Sequence, residues 1–170
     1  FPTGGIIMGR SGIRAAYATG RGKVVVRART EIEPFNKDRE RIIVTELPYQ
    51  VNKRELIKKI AEQVKDKKIE GISDLRDETD LNGLKITIDI KKGTDPDKLM
   101  KKLFASTPLQ DTFSCNFNVL IKGNPRVLGV SELLKEWIEY RSDCVRRRTA
   151  FDLKRAKDRL HLLKGLEKIL

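Results

Sequence analysis

Residues 23–47, KVVVRARTEIEPFNKDRERIIVTEL, decide the predicted fold. The segment Lys23–Glu33 alternates and is rich in β-branched residues, and the segment 41–47 (RIIVTEL) has the same character up to Pro48. Both patterns favour β-strands, and the polar residues 36–40 between them predict a hairpin connection. Alternate side chains of a strand point to opposite faces, so the first strand divides into a cationic face and an apolar face. The first face holds Lys23, Val25, Arg27 and Arg29, and the second holds Val24, Val26 and Ala28.

The segments on either side of this hairpin predict helices alternating with further strands. A short helix is expected over Ser11–Thr19, between a Ser11 cap and Gly20. Asn52 and Glu55 form a capping-box pattern that starts an amphipathic helix reaching about Lys67. Asp95 followed by Pro96 predicts the start of a helix over Asp97–Ala105. Strands are predicted at Ile69–Arg76, 84–90, 113–121 and Arg126–Leu128. Residues 1–130 are therefore expected to form an α+β domain with a mixed sheet and packed helices.

The last forty residues predict one long helix. From Ser131, the expected N-cap, to Leu170 there is no proline and Gly165 is the only glycine. A helix of that length would reach roughly 60 Å. A heptad-like stripe runs along its second half: Leu153, Ala156, Leu160, Leu163 and Leu170, widened by Leu162, Leu166 and Ile169. Such a stripe needs a partner helix, so residues 131–170 are predicted to begin a coiled-coil arm.

The charge balance favours a polyanionic partner. The chain carries 36 Lys and Arg against 24 Asp and Glu, a net charge of +12, which is typical of proteins that bind nucleic acid. A solubilising surface is the plainer alternative. Two cysteines and one histidine give no zinc-ligand spacing, and reduced thiols favour a cytoplasmic protein. No apolar run is long enough to span a membrane, so no membrane partner is expected.

The opening stretch FPTGGIIMGRSGIRAAYATGRGK does not fit a nucleotide-binding loop. The Walker pattern fails because Val24 follows Gly22–Lys23, and the dinucleotide pattern fails because its third glycine position is Val25. Residues 1–30 contain no acid. Their six cations are the candidate DNA-binding residues, because a row of cations beside glycines suits a phosphate backbone: Arg10, Arg14, Arg21, Lys23, Arg27 and Arg29. The alternative is a solvated strand face paired with acids such as Glu31 or Glu46.

The other candidate sites show no recognisable catalytic or metal-binding pattern. The acidic segment 73–80, SDLRDETD, lacks the glycine of a calcium loop and is expected to be an acidic turn. His161 has no partner constellation and is expected on a helix surface. Residues 141–168 hold ten basic and four acidic residues, and some of their arginines are expected to pair with Asp143 or Asp152. We predict no metal site, no cofactor site and no catalytic residue in this chain.

Four blocks, in their order and spacing, resemble the A subunit of bacterial type IIA DNA topoisomerases, the family of DNA gyrase and topoisomerase IV. The blocks cover residues 1–23, 41–53 (RIIVTELPYQVNK), 67–80 (KKIEGISDLRDETD) and 145–166 (VRRRTAFDLKRAKDRLHLLKGL). In this family the matching portion is the tower, or shoulder, domain followed by the start of the coiled coil. The segment 113–144 is less typical of gyrase than the opening is.

The resemblance implies a part in double-strand passage without catalysis. The family cleaves both strands of duplex DNA through a tyrosine on each of two A subunits, and a B subunit handles Mg²⁺ and ATP in an A2B2 complex. That tyrosine follows an arginine, on a domain upstream of the tower. Tyr17, Tyr49 and Tyr140 follow Ala16, Pro48 and Glu139, so none matches, and the isolated chain is expected not to cleave DNA.

Three functions follow as hypotheses. The first is a module that contacts and helps bend the DNA arms flanking the cleaved site. The second is a structural spacer between the DNA gate and the coiled-coil gate, with its cations paired internally. The third, an independent RNA-binding protein, is disfavoured because only 6% of residues are aromatic and available for base stacking.

Overall fold

The structure is a computed structural model that describes residues 1–169. Its elements follow in chain order: β1 (Ile6–Ile7), α1 (Ser11–Thr19), β2 (Arg21–Arg27), β3 (Arg29–Asn36), β4 (Arg39–Glu46), α2 (Lys53–Lys65), β5 (Ile72–Asp77), β6 (Ile86–Ile90), α3 (Pro96–Ser106), β7 (Gln110–Asn116), β8 (Asn118–Ile121), β9 (Asn124–Val127) and α4 (Val130–Glu167). The predicted α+β class is confirmed.

The chain divides into two compact units. Unit 1 comprises Phe1–Ala16 and Gly22–Cys115, and unit 2 comprises Tyr17–Arg21 and Asn116–Leu170. This division follows contacts rather than chain order. The sequence-based domains, 1–130 and 131–170, stay a prediction.

Unit 1 is built on a four-stranded antiparallel sheet in the order β3-β4-β6-β5. Alternating side chains on its central strands, such as Ile42 and Val44 of β4 and Ile86 and Ile88 of β6, are fully buried. They pack against the apolar sides of α2 and α3 in one core, to which the helices contribute Leu56, Ile60, Leu99, Met100 and Leu103. Burial of a large aliphatic side chain stabilises a fold by about 1.5–3 kcal/mol, so this cluster holds the unit together.

The predicted strand Lys23–Glu33 is wrong as a single element. It breaks at Ala28, whose N–H donates to the carbonyl of Leu109 at 2.7 Å. The register of the β3–β4 pair also shifts just after Arg29. As a result β2 joins a three-stranded sheet in the order β1-β2-β7, whereas β3 lies at the edge of the four-stranded sheet.

Two predicted helix starts are confirmed by their caps. The Asn52 side chain accepts a hydrogen bond from the Glu55 N–H at 3.1 Å. Asp95 accepts from the N–H groups of Asp97 at 3.0 Å and Lys98 at 3.3 Å, and Pro96 occupies the first helical position. The first of these helices ends at Lys65, two residues before the predicted end, and Lys67 has a φ of 56°.

Unit 2 consists mainly of the β8–β9 hairpin and α4. The predicted strand 113–121 is interrupted at Phe117, and the parts form β7 and β8. The long helix is confirmed, but its predicted cap is wrong: Gly129 is the N-cap and Ser131 lies inside the first turn. None of the 38 residues of α4 is buried. Leu170, part of the predicted helix and stripe, lies outside the described residues. In residues 1–169, no helix combines the length and apolar character needed to cross a membrane.

Candidate nucleic-acid interface

Two glycines of the opening stretch allow α1 to lie directly on β2. A Cβ added at Gly12 would overlap the carbonyl oxygen of Lys23, and one at Gly22 would overlap the carbonyl oxygen of Gly12. The Cβ of Ala16, which is buried on α1, would lie only 2.9 Å from the added Gly22 Cβ. These glycines therefore serve a helix–strand contact inside unit 1, and that contact fixes where Arg14 and Lys23 lie.

Glu46 of β4 ties the start of the chain to β3. One of its carboxylate oxygens accepts a hydrogen bond from the Gly5 N–H at 2.5 Å, and the other lies 3.1 Å from Nε of Arg29. The Gly5 N–H is the main cause of a lowered pKa for Glu46, and Arg29 adds to it. Arg29 thus pairs with Glu46, one of the two acids expected as partners of the strand cations.

Arg27 is held by neighbours that are distant in sequence. Its Nε donates to Oε1 of Gln110 at 2.8 Å, and its guanidinium lies 4.5 Å from the centroid of the Phe104 ring. Both contacts fix the side chain, and stacking on an aromatic face is a favourable arrangement for arginine. Within residues 1–169 its two terminal nitrogens make no hydrogen bond, so they are available to an anion.

The remaining four candidate cations are exposed: Arg10, Arg14, Lys23 and, in unit 2, Arg21. Their side chains make no hydrogen bond or ion pair with any residue that the structure describes. Lys23 and Arg27 lie on one face of β2, since Val24 and Val26 point into the protein. Arg29 belongs to the next strand and does not continue that row. The assignment of these six residues to DNA stays a prediction.

Three of the four acids in the segment 73–80 pair with cations of unit 1. Arg76 contacts three carboxylates, those of Asp74 at 2.6 Å, Asp89 at 2.6 Å and Glu78 at 3.1 Å. Its pKa is raised, chiefly by the hydrogen bond to Asp89. Glu78 also accepts from Thr87 at 2.8 Å, the first cause of its pKa of about 2.

The same segment contains Asp77, which pairs with Lys53 at 2.7 Å. The ammonium of Lys53 lowers the pKa of Asp77 to about 2. These carboxylates are thus already paired with cations, but the expected acidic turn is wrong for Asp74 and Asp77, which lie in strand β5. No group of three or more His, Cys, Asp or Glu side chains suited to a metal occurs in residues 1–169.

Unit 2 contributes a second basic cluster along α4. Arg147 pairs with Asp143 at 2.9 Å, which confirms one expected partner. This pair is exposed and one helical turn apart, so solvent screens it and it contributes little to stability. His161 is also exposed on α4, as expected.

The contacts of Arg27 with Phe104 and Gln110 are not predicted from the sequence. From the sequence, Phe104 is simply an apolar residue inside the predicted helix Asp97–Ala105. Both partners lie about eighty residues from Arg27 in the chain. No local pattern indicates such a contact.

Comparison with known proteins adds an independent observation. The model of the family described as the A subunit of DNA gyrase/topoisomerase IV matches residues 1–170. The chain is 52% identical over 167 residues to the DNA gyrase A subunit of Clostridium acetobutylicum, 51% identical over 166 residues to that of Halalkalibacterium halodurans, and 48% identical over 167 residues to that of Staphylococcus aureus. Each match covers 98% of this chain but only 19–20% of the relative. The chain therefore spans about a fifth of the length of these curated relatives.

Proposed function

The chain belongs to the family of DNA gyrase/topoisomerase IV A subunits, and from this premise we propose that it is a non-catalytic segment of an ATP-dependent type II DNA topoisomerase. It contacts the DNA arms that flank the cleaved site and helps to hold them bent. Its partners are duplex DNA, a second copy of the A chain and a B subunit, which carries the Mg²⁺ and ATP.

One observation supports the DNA-contact role above all others. Residues 1–30 contain six cations and no acid, and Arg10, Arg14 and Lys23 of unit 1 are exposed without a carboxylate partner among residues 1–169. An unpaired cation gains most from meeting a phosphate, because it loses no internal ion pair and releases a condensed counterion. Contacts of this kind position duplex DNA without reading its sequence.

The energetic need for such contacts follows from the stiffness of DNA. Bending a site of 20–30 base pairs by 40–90° costs on the order of 1–6 kcal/mol. Several phosphate contacts along each arm can offset that cost. A non-catalytic basic surface would therefore contribute to the cleavage reaction by stabilising the bent duplex.

A spacer without direct DNA contact is the second candidate function. It is favoured by the internal contacts of Arg27 and Arg29, which bind Gln110 and Glu46. If all six cations served the fold in this way, the chain would connect two gates mechanically and bind DNA no better than any other basic protein.

A pair of matched variants separates the two functions. Arg14→Glu/Lys23→Glu reverses two cations of the opening region, and Arg54→Glu/Lys59→Glu reverses two exposed cations on α2 with the same change in net charge. Binding to duplex DNA is measured by fluorescence anisotropy as a function of salt. Each lost phosphate contact lowers the slope of log K against log salt by about 0.9. We expect a reduction of nearly two for the first variant and little change for the second.

Equal losses in the two variants would support a general charge effect and favour the spacer. Absence of binding by the folded parent chain at low salt would exclude arm contact by this chain. Incubation with supercoiled plasmid, Mg²⁺, ATP and a B subunit is expected to yield no covalent protein–DNA adduct.

A further inference from the structure

The stacked pair of Arg27 and Phe104 lies where the cationic face of β2 meets α3. We propose that the DNA-binding surface continues across this junction, and that Lys101 of α3 binds the phosphate backbone of the same duplex as Lys23 and Arg27. This inference rests on the proposed function and adds a binding residue that lies far outside the basic opening of the chain.

The first step is the orientation of α3. Leu99, Met100 and Leu103 are buried in the core, so this helix has two flanks at the edges of its apolar side. Residues three or four apart lie on the same side of a helix. Lys101 therefore shares a flank with Phe104, and Lys102 shares the other flank with Ser106.

The contacts of Phe104 and Ser106 show what this helix faces. The Phe104 ring lies 4.5 Å from the Arg27 guanidinium, so its flank faces β2. The carbonyl of Ser106, the last residue of α3, accepts a hydrogen bond from Nε2 of Gln63 at 2.8 Å, so the C-terminal end of this helix contacts α2. Of two adjacent exposed lysines on one helix, Lys101 thus lies on the Phe104 flank, towards β2, and Lys102 lies about 100° around the helix from it.

The side chains of this surface are available to bind phosphate. Both lysines are exposed, and the structure records no ion pair for either side chain among residues 1–169. Arg27 is fixed by the Phe104 ring and by Gln110, yet its terminal nitrogens make no hydrogen bond with the described residues. Side chains held in place lose little entropy on binding, which favours Arg27 as the fixed centre of the surface.

The dimensions are the third step. Four residues of a strand separate Lys23 from Arg27 by roughly 13 Å. One helical turn, about 5–6 Å between Cβ atoms, separates Phe104 from Lys101. The strand row from Lys23 to Arg27 therefore covers roughly 13 Å, and the ring 4.5 Å from the Arg27 guanidinium links its end to the helix that carries Lys101. A duplex presents a negative charge for about every 1.7 Å of its axis, so this row is long enough to follow several phosphates.

The experiment compares Lys101→Gln with Lys102→Gln in the full 170-residue chain. Both changes remove one exposed charge from the same helix, and circular dichroism and denaturant unfolding verify that the variants fold. The probe is a duplex of about 30 base pairs, long enough to be bent. Loss of one phosphate contact at about 0.1 M salt corresponds to a loss of roughly eightfold in affinity and of about 0.9 in the salt slope. We expect this for Lys101→Gln, parent affinity for Lys102→Gln, and parent affinity for Lys101→Arg.

A third variant tests the junction itself. Phe104→Leu keeps an apolar side chain against the core but removes the ring under Arg27. All charges remain, so the salt slope is expected to stay at the parent value while affinity falls about two- to fivefold. A purely structural role for Phe104 would lower stability without moving affinity.

Two outcomes would contradict phosphate binding by Lys101 and would leave the proposed function unaffected. These are equal effects of Lys101→Gln and Lys102→Gln, or parent affinity for Lys101→Gln while Arg14→Glu/Lys23→Glu binds weakly. If the parent chain does not bind the duplex, both the inference and the proposed function are wrong.

Discussion

Replacement of Gly22 by alanine tests whether the close packing of α1 on β2 positions the cations of residues 1–30. The added Cβ would lie 2.7 Å from the Ala16 nitrogen and 2.9 Å from the Ala16 Cβ, and it would overlap the carbonyl oxygen of Gly12. Two of these three atoms belong to backbone, and none is the far end of a flexible side chain. The helix must therefore move away from the strand.

The size of the effect follows from these distances. Non-bonded carbon atoms prefer a separation of about 3.5–4.0 Å, so α1 would retreat by roughly 1 Å. Overpacking of this kind costs about 1–3 kcal/mol of unfolding free energy. Ala16 is 2% exposed, and the shift would also loosen its packing. Because Arg14 lies on the displaced helix, we also expect weaker binding to duplex DNA.

The assay is denaturant unfolding of Gly22→Ala beside Gly165→Ala. Gly165 lies inside α4 and has no atom within 4 Å of an added Cβ, so its replacement is expected to stabilise the helix by up to about 1 kcal/mol. Unchanged stability and unchanged DNA affinity of Gly22→Ala would contradict this prediction. They would mean that α1 does not pack against Gly22 as closely as the structure shows.

Two further predictions concern the stability of unit 1. Leu103→Ala removes a fully buried side chain from the core, and we expect a loss of about 2–5 kcal/mol in unfolding free energy by denaturant titration. The second concerns acid: the pKa values of Asp77 and Glu78, both about 2, are depressed from ordinary values of 3.8 and 4.5. Since their folded pKa values are lowered, their contribution is present above about pH 4.5 and is lost as the pH falls towards 2. Lys53→Met should flatten that dependence, measured as unfolding free energy against pH, and an unaltered slope would count against the Lys53–Asp77 pair.

Local signals account for the parts of the fold that the sequence predicts well. The caps at Asn52 and Asp95 act within three residues, so the residues that form them stand together in the sequence. The isoleucines of β6 alternate over five residues, which is the period of a strand, although all five residues of β6 are buried. Such features can be predicted because the interactions that cause them are short in range.

Long-range contacts explain what the sequence does not predict. The break at Ala28 depends on a hydrogen bond to Leu109, some eighty residues away, while the β-branched pattern runs on through it. The start of α4 at Gly129 is similar. A Cβ there would overlap the backbone of Ala18, so close packing within unit 2 requires glycine, whereas a capping rule favours Ser131.

The candidate DNA-binding surface combines both situations. The excess of cations in residues 1–30 is visible in the sequence, but which of them can bind a phosphate depends on acids and rings brought from elsewhere. Glu46 takes Arg29 into an ion pair, whereas Phe104 and Gln110 hold Arg27 and leave its terminal nitrogens available. Burial of the valines keeps Lys23 on the same face as Arg27. Tertiary contacts thus determine which cations are used within the fold and which can bind a phosphate. The cations that can bind a phosphate lie along β2 and continue to Lys101.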